Sequence, residues 1–253
     1  MATDPHPVVL VLPDAGALAR AAAGRFVNVA ARAVRTRGRF SAALSGGSTP
    51  GALYRWLAGD ACRDRIPWNS VHLFWGDERC VPPDDPGSNY RLARETLVAH
   101  VPIPDANVHR VQTELDPDAA ACAYAEALQG FFGSPWPRFD LVLLGLGGDG
   151  HVASLFPGSA ALHETGRPVI AVTAQYEDRP ARRVTLTLPA INSARQVLFL
   201  VSGEAKAGIL HAVLESPASQ LPARLVHPTA GRLTWLVDAA AARRLARTHP
   251  VAG

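Results

Sequence analysis

The stretch that decides the fold is Phe139-Asp-Leu-Val-Leu-Leu-Gly-Leu-Gly-Gly-Asp-Gly-His151. Its first half is apolar and typical of a buried strand, and its four glycines let the backbone turn sharply and come close to a ligand. The turn carries a carboxylate, Asp149, and an imidazole, His151. Ligands of open α/β sheets bind beyond the carboxyl ends of the strands, so this segment predicts an active site at the end of a central strand.

Apolar runs of strand type alternate with helical stretches along the rest of the chain. The expected strands are Val8–Leu12, Ser41–Leu44, Val71–Trp75, Phe139–Leu144, Val169–Val172, Val184–Leu188, Gln196–Val201 and Thr234–Val237. The expected helices are Asp14–Thr36, Gly51–Ala58, Asn89–Ala99, Asp116–Phe132, Glu204–Leu214 and Asp238–Arg247. This alternation predicts a doubly wound α/β fold, with a mostly parallel sheet and helices on both faces. The loops are too short to be interdomain linkers, so we expect one domain over residues 1–253.

Composition narrows the class of protein. The chain is 48% hydrophobic and 19% charged, which suits a globular protein, and no apolar run is long enough to span a bilayer. Its net charge of +3 comes from scattered arginines rather than from a basic stripe, so we expect no nucleic-acid partner. The three cysteines are widely spaced and lack a CxxC pattern. They predict reduced thiols in a cytoplasmic protein. The lack of a spanning apolar run predicts that the protein has no membrane partner.

A second loop, Ser45-Gly-Gly-Ser-Thr-Pro50, follows the expected strand Ser41–Leu44 and opens a helix. Its glycines, its hydroxyl groups and the helix N terminus can cradle an anion through backbone N–H groups. The candidate phosphate-binding residues here are Ser45, Gly46, Gly47, Ser48 and Thr49. The alternative is an ordinary glycine-rich turn with Thr49 as the helix cap, and the loop alone leaves it open.

Charged residues follow two other expected strands. In Trp75-Gly-Asp-Glu-Arg79, Asp77 can organise a site and Arg79 can grip a phosphate or carboxylate, although a solvated turn is the alternative. The loop Val201-Ser-Gly-Glu-Ala-Lys206 places the only lysine in the first turn of a helix. A cation there opposes the helix dipole unless an anion lies nearby, so Lys206 is a second phosphate-binding candidate, with a solvated surface lysine as the alternative.

The pair Arg182-Arg183 precedes the expected strand Val184–Leu188. Neighbouring strand residues face opposite ways, so only one of the two guanidinium groups can enter the cleft.

Other kinds of site fit less well. The glycine turn contains the G-x-G-x-x-G spacing of dinucleotide sites, but Asp149 would lie beside the pyrophosphate and Pro157 cuts short any following helix. We therefore expect no nicotinamide cofactor. No G-x-S-x-G elbow predicts a serine triad, and no HExxH or similar ligand spacing predicts a metal centre.

Together these loops resemble the 6-phosphogluconolactonase family, which shares its fold with glucosamine-6-phosphate deaminase/isomerase. The matching segments span nearly the whole chain in the family's order: Ser45–Pro50, Trp75–Arg79, Gly145–His151 with Ala153–Pro157, Arg183–Pro189 and Ser202–Lys206. In the deaminases an Asn-Glu-Pro follows the Asp-Gly-His, whereas this chain has Ser154-Leu-Phe-Pro157, without a carboxylate. It also has Asp77-Glu78-Arg79 where the deaminases have Asp-Glu-Tyr. Both departures favour the lactonase branch.

The resemblance implies hydrolysis of 6-phospho-D-glucono-1,5-lactone to 6-phosphogluconate in the oxidative pentose phosphate pathway, without metal or cofactor. In this reading His151 is the general base on water, and Asp149 and Asp77 complete the catalytic set. The phosphate is assigned to the 45–49 loop, Arg79, Lys206 and Arg183. The alternatives are a glucosamine-6-phosphate deaminase/isomerase and a non-catalytic sugar-phosphate sensor. We expect a monomer or a weak homo-oligomer.

Overall fold

A computed structural model of the chain describes residues 7–176, 179–216, 219–246 and 249–250. Its first half contains β1 Val8–Leu12, α1 Ala15–Arg37, β2 Phe40–Leu44, α2 Ser48–Ala58, α3 Asp60–Arg63, β3 Val71–Trp75, β4 Asp77–Arg79, α4 Asn89–Thr96 and α5 Pro117–Phe132. Its second half contains β5 Leu141–Leu144, β6 Val169–Thr173, β7 Arg182–Leu186, α6 Leu188–Asn192, β8 Gln196–Val201, α7 Ala207–Glu215, β9 Arg232–Asp238, α8 Ala239–Ala242 and β10 His249–Pro250. None of the described helices is both long and apolar enough to cross a membrane.

Seven of these strands form one parallel sheet in the order β10-β1-β9-β8-β5-β2-β3. From β2 the chain moves outward to β3 at one edge, whereas from β5 it moves through β8 to β9 in the other direction. The direction of winding therefore changes between β2 and β5, which pair directly. Doubly wound sheets bind ligands at such a point, so the loops that follow β2 and β5 lie where a ligand site is expected.

Alternation along the strands builds a core on each face of this sheet. In β5, Leu141 and Leu143 pack with residues of α1 and α2, whereas Val142 and Leu144 pack with residues of α5 and α7. Each of these side chains is at least 99% buried, which stabilises the fold by about 1.5–3 kcal/mol per residue. The predicted fold class, a mostly parallel sheet covered by helices on both faces, is confirmed.

The strands β4, β7 and β6 form a separate antiparallel sheet. The sequence analysis placed Val169–Val172 and Val184–Leu188 in the parallel sheet and left 77–79 as a loop, and both assignments are wrong. A parallel crossover needs about a dozen residues or more, but the connection between β6 and β7 spans only residues 174–181. That length permits a hairpin and not a crossover. The small sheet stands beside the carboxyl ends of the parallel strands, because β4 directly follows β3.

Three helices begin at the N-cap residues that the sequence suggests. Asp14, Asp116 and Asp238 each accept a backbone hydrogen bond at the start of a helix. Thr49 does not cap α2, because that helix begins at Ser48 with Gly47, at φ +101°, in the cap position. The last helix is a single turn that ends at Ala242, and the predicted end at Arg247 lies outside the described residues.

Candidate active site

A cleft of about 200 Å³ opens at the carboxyl ends of the central strands. It brings together all but one of the side chains and backbone segments that the sequence analysis selected: Ser45, Gly46, Gly47, Ser48, Thr49, Asp77, Arg79, His151, Arg183 and Lys206. The exception is Asp149, which lies behind the imidazole and does not line the cleft. The cleft is also lined by Asn89, Tyr176 and Arg179, which were not selected.

The orientation of the His151 imidazole is set by Asp149. Its Nδ1 lies 2.6 Å from Oδ1 of Asp149, and the same oxygen accepts the backbone N–H of His151 at 3.1 Å. An ionised carboxylate only accepts hydrogen bonds, so this contact places the ring proton on Nδ1. The lone pair is then on Nε2, the nitrogen free to act on a molecule in the cleft. Asp149 is a positioning residue in this geometry.

The surroundings of the ring keep it uncharged. The imidazole of His151 packs against the rings of Phe156 and Tyr176, with centroid distances of 4.4 and 4.6 Å, and these two rings also contact each other at 5.8 Å. Burial lowers the pKa of His151 below its ordinary value, and the nearby carboxylates of Asp149 and Asp77 only partly oppose this. The ring is therefore neutral at pH 7, and a neutral imidazole can accept a proton.

Gly147 is needed because the imidazole lies directly against the backbone. A Cβ atom added to Gly147 would sit 2.1 Å from Nδ1 of His151, well inside van der Waals contact. The N–H of Gly147 also donates to the carbonyl of His151 at 2.9 Å, which closes the turn on itself. The glycine-rich sequence is thus explained by the packing of the ring.

Asp77 holds the small sheet against the turn that carries His151. It is the first residue of β4 and is 6% exposed. Its Oδ2 accepts the hydroxyl of Ser154 at 2.7 Å, and its carbonyl accepts the side-chain amide of Asn89 at 2.9 Å. The backbone N–H of Ser154 donates to the hydroxyl of Thr185 on β7 at 3.2 Å. Asp77 therefore contributes a negative charge to the wall of the cleft and is itself fixed by neutral donors.

Glu78 had no assigned role in the sequence analysis, yet it organises the loop that follows. Its carboxylate is buried and accepts the backbone N–H groups of Arg79, Asn89 and Tyr90 at 2.7–2.8 Å, together with the hydroxyl of Ser88 at 3.1 Å. Burial raises its pKa, and these backbone donors act in the opposite direction. The carboxylate thus accepts the backbone N–H groups of residues 79, 89 and 90, which would otherwise need carbonyl partners. In this way it fixes the path of the loop and the point at which Arg79 enters the cleft.

Two arginines of the small sheet present unmet hydrogen-bond donors. Arg183 is 2% exposed and lies directly opposite Arg79 across β4 and β7. Nη2 of Arg183 and Nε of Arg79 are buried and find no hydrogen-bond partner among the described residues. Burial and the neighbouring charges of Arg79 and Arg179 lower the pKa of Arg183. Arg182, by contrast, is exposed, so the alternation along β7 sends one guanidinium of the pair into the cleft, as predicted.

The 45–49 loop adds backbone donors to these cations. Ser45 is held by Tyr54, whose hydroxyl accepts the N–H of Ser45 at 3.0 Å and donates to its carbonyl at 2.6 Å. Among the described residues no side chain caps α2, so its first N–H groups face the cleft without a protein acceptor. A Cβ at Gly46 would lie 1.8 Å from Oδ1 of Asn89, so only glycine lets the loop lie this close to α4. These features favour the anion cradle over a capped turn.

Tyr176 and Arg179 escaped the sequence analysis although a signal existed. Both follow the end of β6, and residues beyond strand ends were the basis for choosing the other loops. Ligands of such sheets bind beyond the carboxyl ends of the strands, and the loops after β2, β3, β5 and β8 were selected on that ground. The segment after β6 was not. In the structure the hydroxyl of Tyr176 accepts the N–H of Gly148 at 3.2 Å. It therefore braces the glycine turn.

Among the residues that the structure describes, the site shows no grouping typical of a metal centre. Within the described ranges, no three side chains of His, Cys, Asp or Glu lie together as possible ligands. The expectation of a reaction without metal remains a prediction.

Comparison with known proteins places the chain in a family. Residues 13–235 match the family described as glucosamine-6-phosphate isomerases/6-phosphogluconolactonase, and the chain belongs to it. A Nostoc relative named 6-phosphogluconolactonase is 41% identical over 243 residues, which is 94% of this chain and 98% of that protein. A Mycobacterium tuberculosis relative of the same name is 43% identical over 246 residues, 93% of this chain and 97% of its own.

Solved structures agree. The 6-phosphogluconolactonase from Trypanosoma cruzi has a TM-score of 0.86 at 31% identity, covering 97% of this chain and 99% of its own. A monomeric glucosamine-6-phosphate deaminase has a TM-score of 0.80 at 22% identity, over 94% of this chain and 99% of its own, which shows the shared fold alone. The resemblance inferred from the motifs is confirmed.

Proposed function

We propose that the chain hydrolyses 6-phospho-D-glucono-1,5-lactone to 6-phosphogluconate, the second step of the oxidative pentose phosphate pathway, with His151 as general base. The observation that carries this proposal is one cleft that holds both a neutral imidazole and buried guanidinium groups with unmet donors. The neutral imidazole can assist the attack of water on an ester, and the guanidinium groups can bind a phosphate. Relatives over 40% identical across nearly the whole chain are named for this activity.

The phosphate is held at the end of the cleft formed by the small sheet and the 45–49 loop. Arg183 and Arg79 offer the donors that find no acceptor among the described residues, and guanidinium groups match phosphate oxygens in pairs. The N terminus of α2 and Lys206 line the same cleft and add positive potential. Binding energy gained there, away from the reacting bond, positions the lactone carbonyl at the imidazole.

The chemical step uses one imidazole twice. Nε2 of His151 takes a proton from water while the water oxygen forms a bond to C1 of the lactone and the carbonyl electrons move to oxygen. The tetrahedral intermediate then collapses, the bond between C1 and the ring oxygen breaks, and the imidazolium returns its proton to that oxygen. The N–H groups of the glycine turn are the candidates that stabilise the intermediate oxyanion. Asp149 keeps the correct nitrogen facing the water and stabilises the transient imidazolium.

The segment after the imidazole argues against deamination and isomerisation. Ring opening in the deaminase branch relies on a carboxylate shortly after the Asp-Gly-His, and here the corresponding side chains are Ser154, Leu155 and Phe156. The hydroxyl of Ser154 is committed to Asp77, and the two apolar side chains are at least 92% buried. This segment offers no carboxylate to the cleft.

The experiment compares lactone hydrolysis with its spontaneous rate. Proton release from freshly made 6-phosphogluconolactone should be accelerated by the wild-type protein, and the variant His151→Asn should lose about 10²–10⁴-fold in kcat with little change in KM. The variant His163→Gln, at an exposed histidine outside the cleft, is the matched control and should retain the wild-type rate. A His151→Asn variant that hydrolyses the lactone as fast as the wild type would contradict the assignment of His151 as the general base. Release of ammonia from glucosamine 6-phosphate would instead establish the deaminase, and we expect none.

We place the enzyme in the cytoplasm, as a monomer or a weak homo-oligomer that works without metal or cofactor. The support for the compartment is that Cys62, Cys80 and Cys122 are all free thiols. Gel filtration together with activity after exhaustive chelation tests the other two statements.

A further inference from the structure

A second charged cleft lies at the amino ends of the parallel strands, at the opposite end of the sheet from the candidate active site. It has a volume of about 320 Å³, and its lining includes Arg32 and Arg37 of α1, Arg195 just before β8 and Arg232 at the start of β9. Asp140, just before β5, is also in the lining. We call these five residues the arginine groove. The groove is separated from the candidate active site by the length of the strands, since the latter lies at their carboxyl ends.

The single carboxylate of the arginine groove already has partners at both of its oxygens. Oδ1 of Asp140 lies 2.7 Å from Nη2 of Arg37 and 3.4 Å from Nε of Arg195. Its Oδ2 accepts both the backbone N–H and the hydroxyl of Ser41, at 2.9 and 3.2 Å. Because Asp140 is 5% exposed, these contacts serve to stabilise a buried charge. Its ion pairs are with Arg37 and Arg195, and it forms none with the other two arginines of the groove.

Positive charge in the groove is therefore in excess. Among the described residues that line the groove there are four guanidinium groups and one carboxylate, which is an excess of three positive charges. Arg32 and Arg232 have no carboxylate within ion-pairing distance in the described part of the chain. Nε of Arg195 is buried, and its contact with Asp140 lacks the geometry of a hydrogen bond, so it has no hydrogen-bond partner among the described residues. Guanidinium groups brought together in this way repel each other unless an anion lies between them.

The electrostatic effect of this crowding reaches beyond the groove. Burial, together with the charges of Arg138 and Arg37, lowers the pKa of Arg195. The pKa of Arg25, which donates to the hydroxyl of Thr234 at 3.1 Å, is likewise lowered by burial and by Arg232. Arginines that are otherwise scattered along the sequence therefore converge on one face of the fold.

We propose that the arginine groove binds a small molecule that carries a pyrophosphate group. Three uncompensated charges match a diphosphate, which carries about three negative charges near neutral pH, better than a singly charged anion. The cleft is within the usual size range of small-ligand sites, about 300–1,000 Å³. Guanidinium groups approaching from α1, β8 and β9 can bind separate phosphate oxygens, a geometry that favours bidentate contacts. The groove contains no base or nucleophile besides Asp140, so it is a binding site and not a second centre of reaction.

Inorganic pyrophosphate is the probe, titrated calorimetrically into the protein at fixed ionic strength. The variant carrying both Arg32→Gln and Arg232→Gln removes two exposed side chains without disturbing Asp140, so the fold is expected to persist. We expect this double variant to bind pyrophosphate about tenfold or more weakly than the wild type at the groove, with unchanged kcat and KM for the lactone. Arg65→Gln, an exposed arginine outside both clefts, is the control and should bind as the wild type does.

Since the candidate active site also attracts phosphates, Lys206→Ala identifies which cleft is being titrated. Binding that survives Lys206→Ala and is lost in the double variant supports the groove. Binding that is lost in Lys206→Ala and unaffected by the double variant would overturn the proposal, as would equal affinity for pyrophosphate and chloride.

Discussion

The hydroxyl of Ser154 donates a 2.7 Å hydrogen bond to the carboxylate of Asp77, 77 residues away in the chain. This bond joins the turn that carries the imidazole to the first strand of the antiparallel sheet. Ser154 is completely buried and Asp77 nearly so, and hence water does not replace the bond if it is lost. The position of the cleft's negative charge relative to His151 thus depends on this pair.

The pair should couple energetically. We expect Ser154→Ala to lower the free energy of unfolding by about 1–3 kcal/mol, because it leaves Oδ2 of a buried carboxylate without its donor. In a double-mutant cycle with Asp77→Ala, the two changes should not be additive, since either removes the same charge-assisted bond. Urea unfolding of the four proteins measures this. Strictly additive effects would show that the contact contributes nothing.

Asp149→Asn tests the positioning of the imidazole. The carboxylate raises the pKa of His151 against the larger lowering by burial, so its removal should shift that pKa still further down. The acid limb of the pH profile of kcat/KM should therefore move to lower pH. At the plateau kcat should fall about 10²-fold or more, because the amide does not enforce the proton on Nδ1. A purely structural role for Asp149 would reduce the amount of active enzyme and leave the acid limb where it is.

Arg183 and Arg182 form a matched pair for testing the phosphate site. Arg183→Met should raise KM for the phosphorylated lactone about 10–100-fold, the effect of losing a charge-assisted hydrogen bond, with a smaller change in kcat. The same change at Arg182, which faces solvent, should alter neither. Activity on an unphosphorylated lactone, low in the wild type, should be the same in both variants. Equal effects at the two positions would contradict the assignment.

A pair of histidines outside the active site should make stability depend on pH. Nδ1 of His72 lies 3.2 Å from Nε2 of His109, whose ring stacks on Phe74 at 4.3 Å. Burial lowers the pKa of His109 to about 4, and the charge of His72 adds a smaller effect in the same direction. Burial and the charge of Arg39 lower the pKa of His72. The unfolded chain binds these protons near pH 6.5 and the folded chain does not. The contribution of this pair to stability should therefore be constant above about pH 6.5 and fall as the pH is lowered from there towards 4.

The variant His109→Gln checks the origin of this effect. The free energy of unfolding, measured in urea at pH 7 and pH 5, should decrease less in the variant than in the wild type. His163→Gln, an exposed histidine, should preserve the wild-type difference. A decrease in His109→Gln as large as in the wild type would assign the acid sensitivity to other groups.

What could be predicted from the sequence was local. The apolar run 139–144 and the glycines after it specify a strand and a close turn by themselves, and Asp149 and His151 are near neighbours in the chain. The contact of Asp77 with Ser154 depends on where two distant segments meet, and no local pattern encodes it. The role of Glu78 is of the same kind, since its acceptors are filled by backbone groups of residues 79, 89 and 90.

The antiparallel sheet was missed for a different reason. The apolar runs at 169–172 and 184–188 do predict two strands, and these overlap β6 and β7. Their alternation with helices placed them in the parallel sheet. The connection between them, residues 174–181, is too short for a parallel crossover. Tyr176 and Arg179 lie on that connection, which was not among the loops selected as candidate sites. Loop length was the signal that distinguishes a hairpin from a crossover in this chain.

Arg79 and Arg183 stand directly opposite each other across β4 and β7. Like charges in that register weaken a sheet, so the small sheet is least stable when the cleft is empty. A phosphate bound as we propose would offset this repulsion, since both guanidinium groups would then attract the same anion. On the proposed assignment of the phosphate site, substrate occupancy and the rigidity of this sheet are therefore linked equilibria, and phosphate binding would stabilise the wall that contains Asp77.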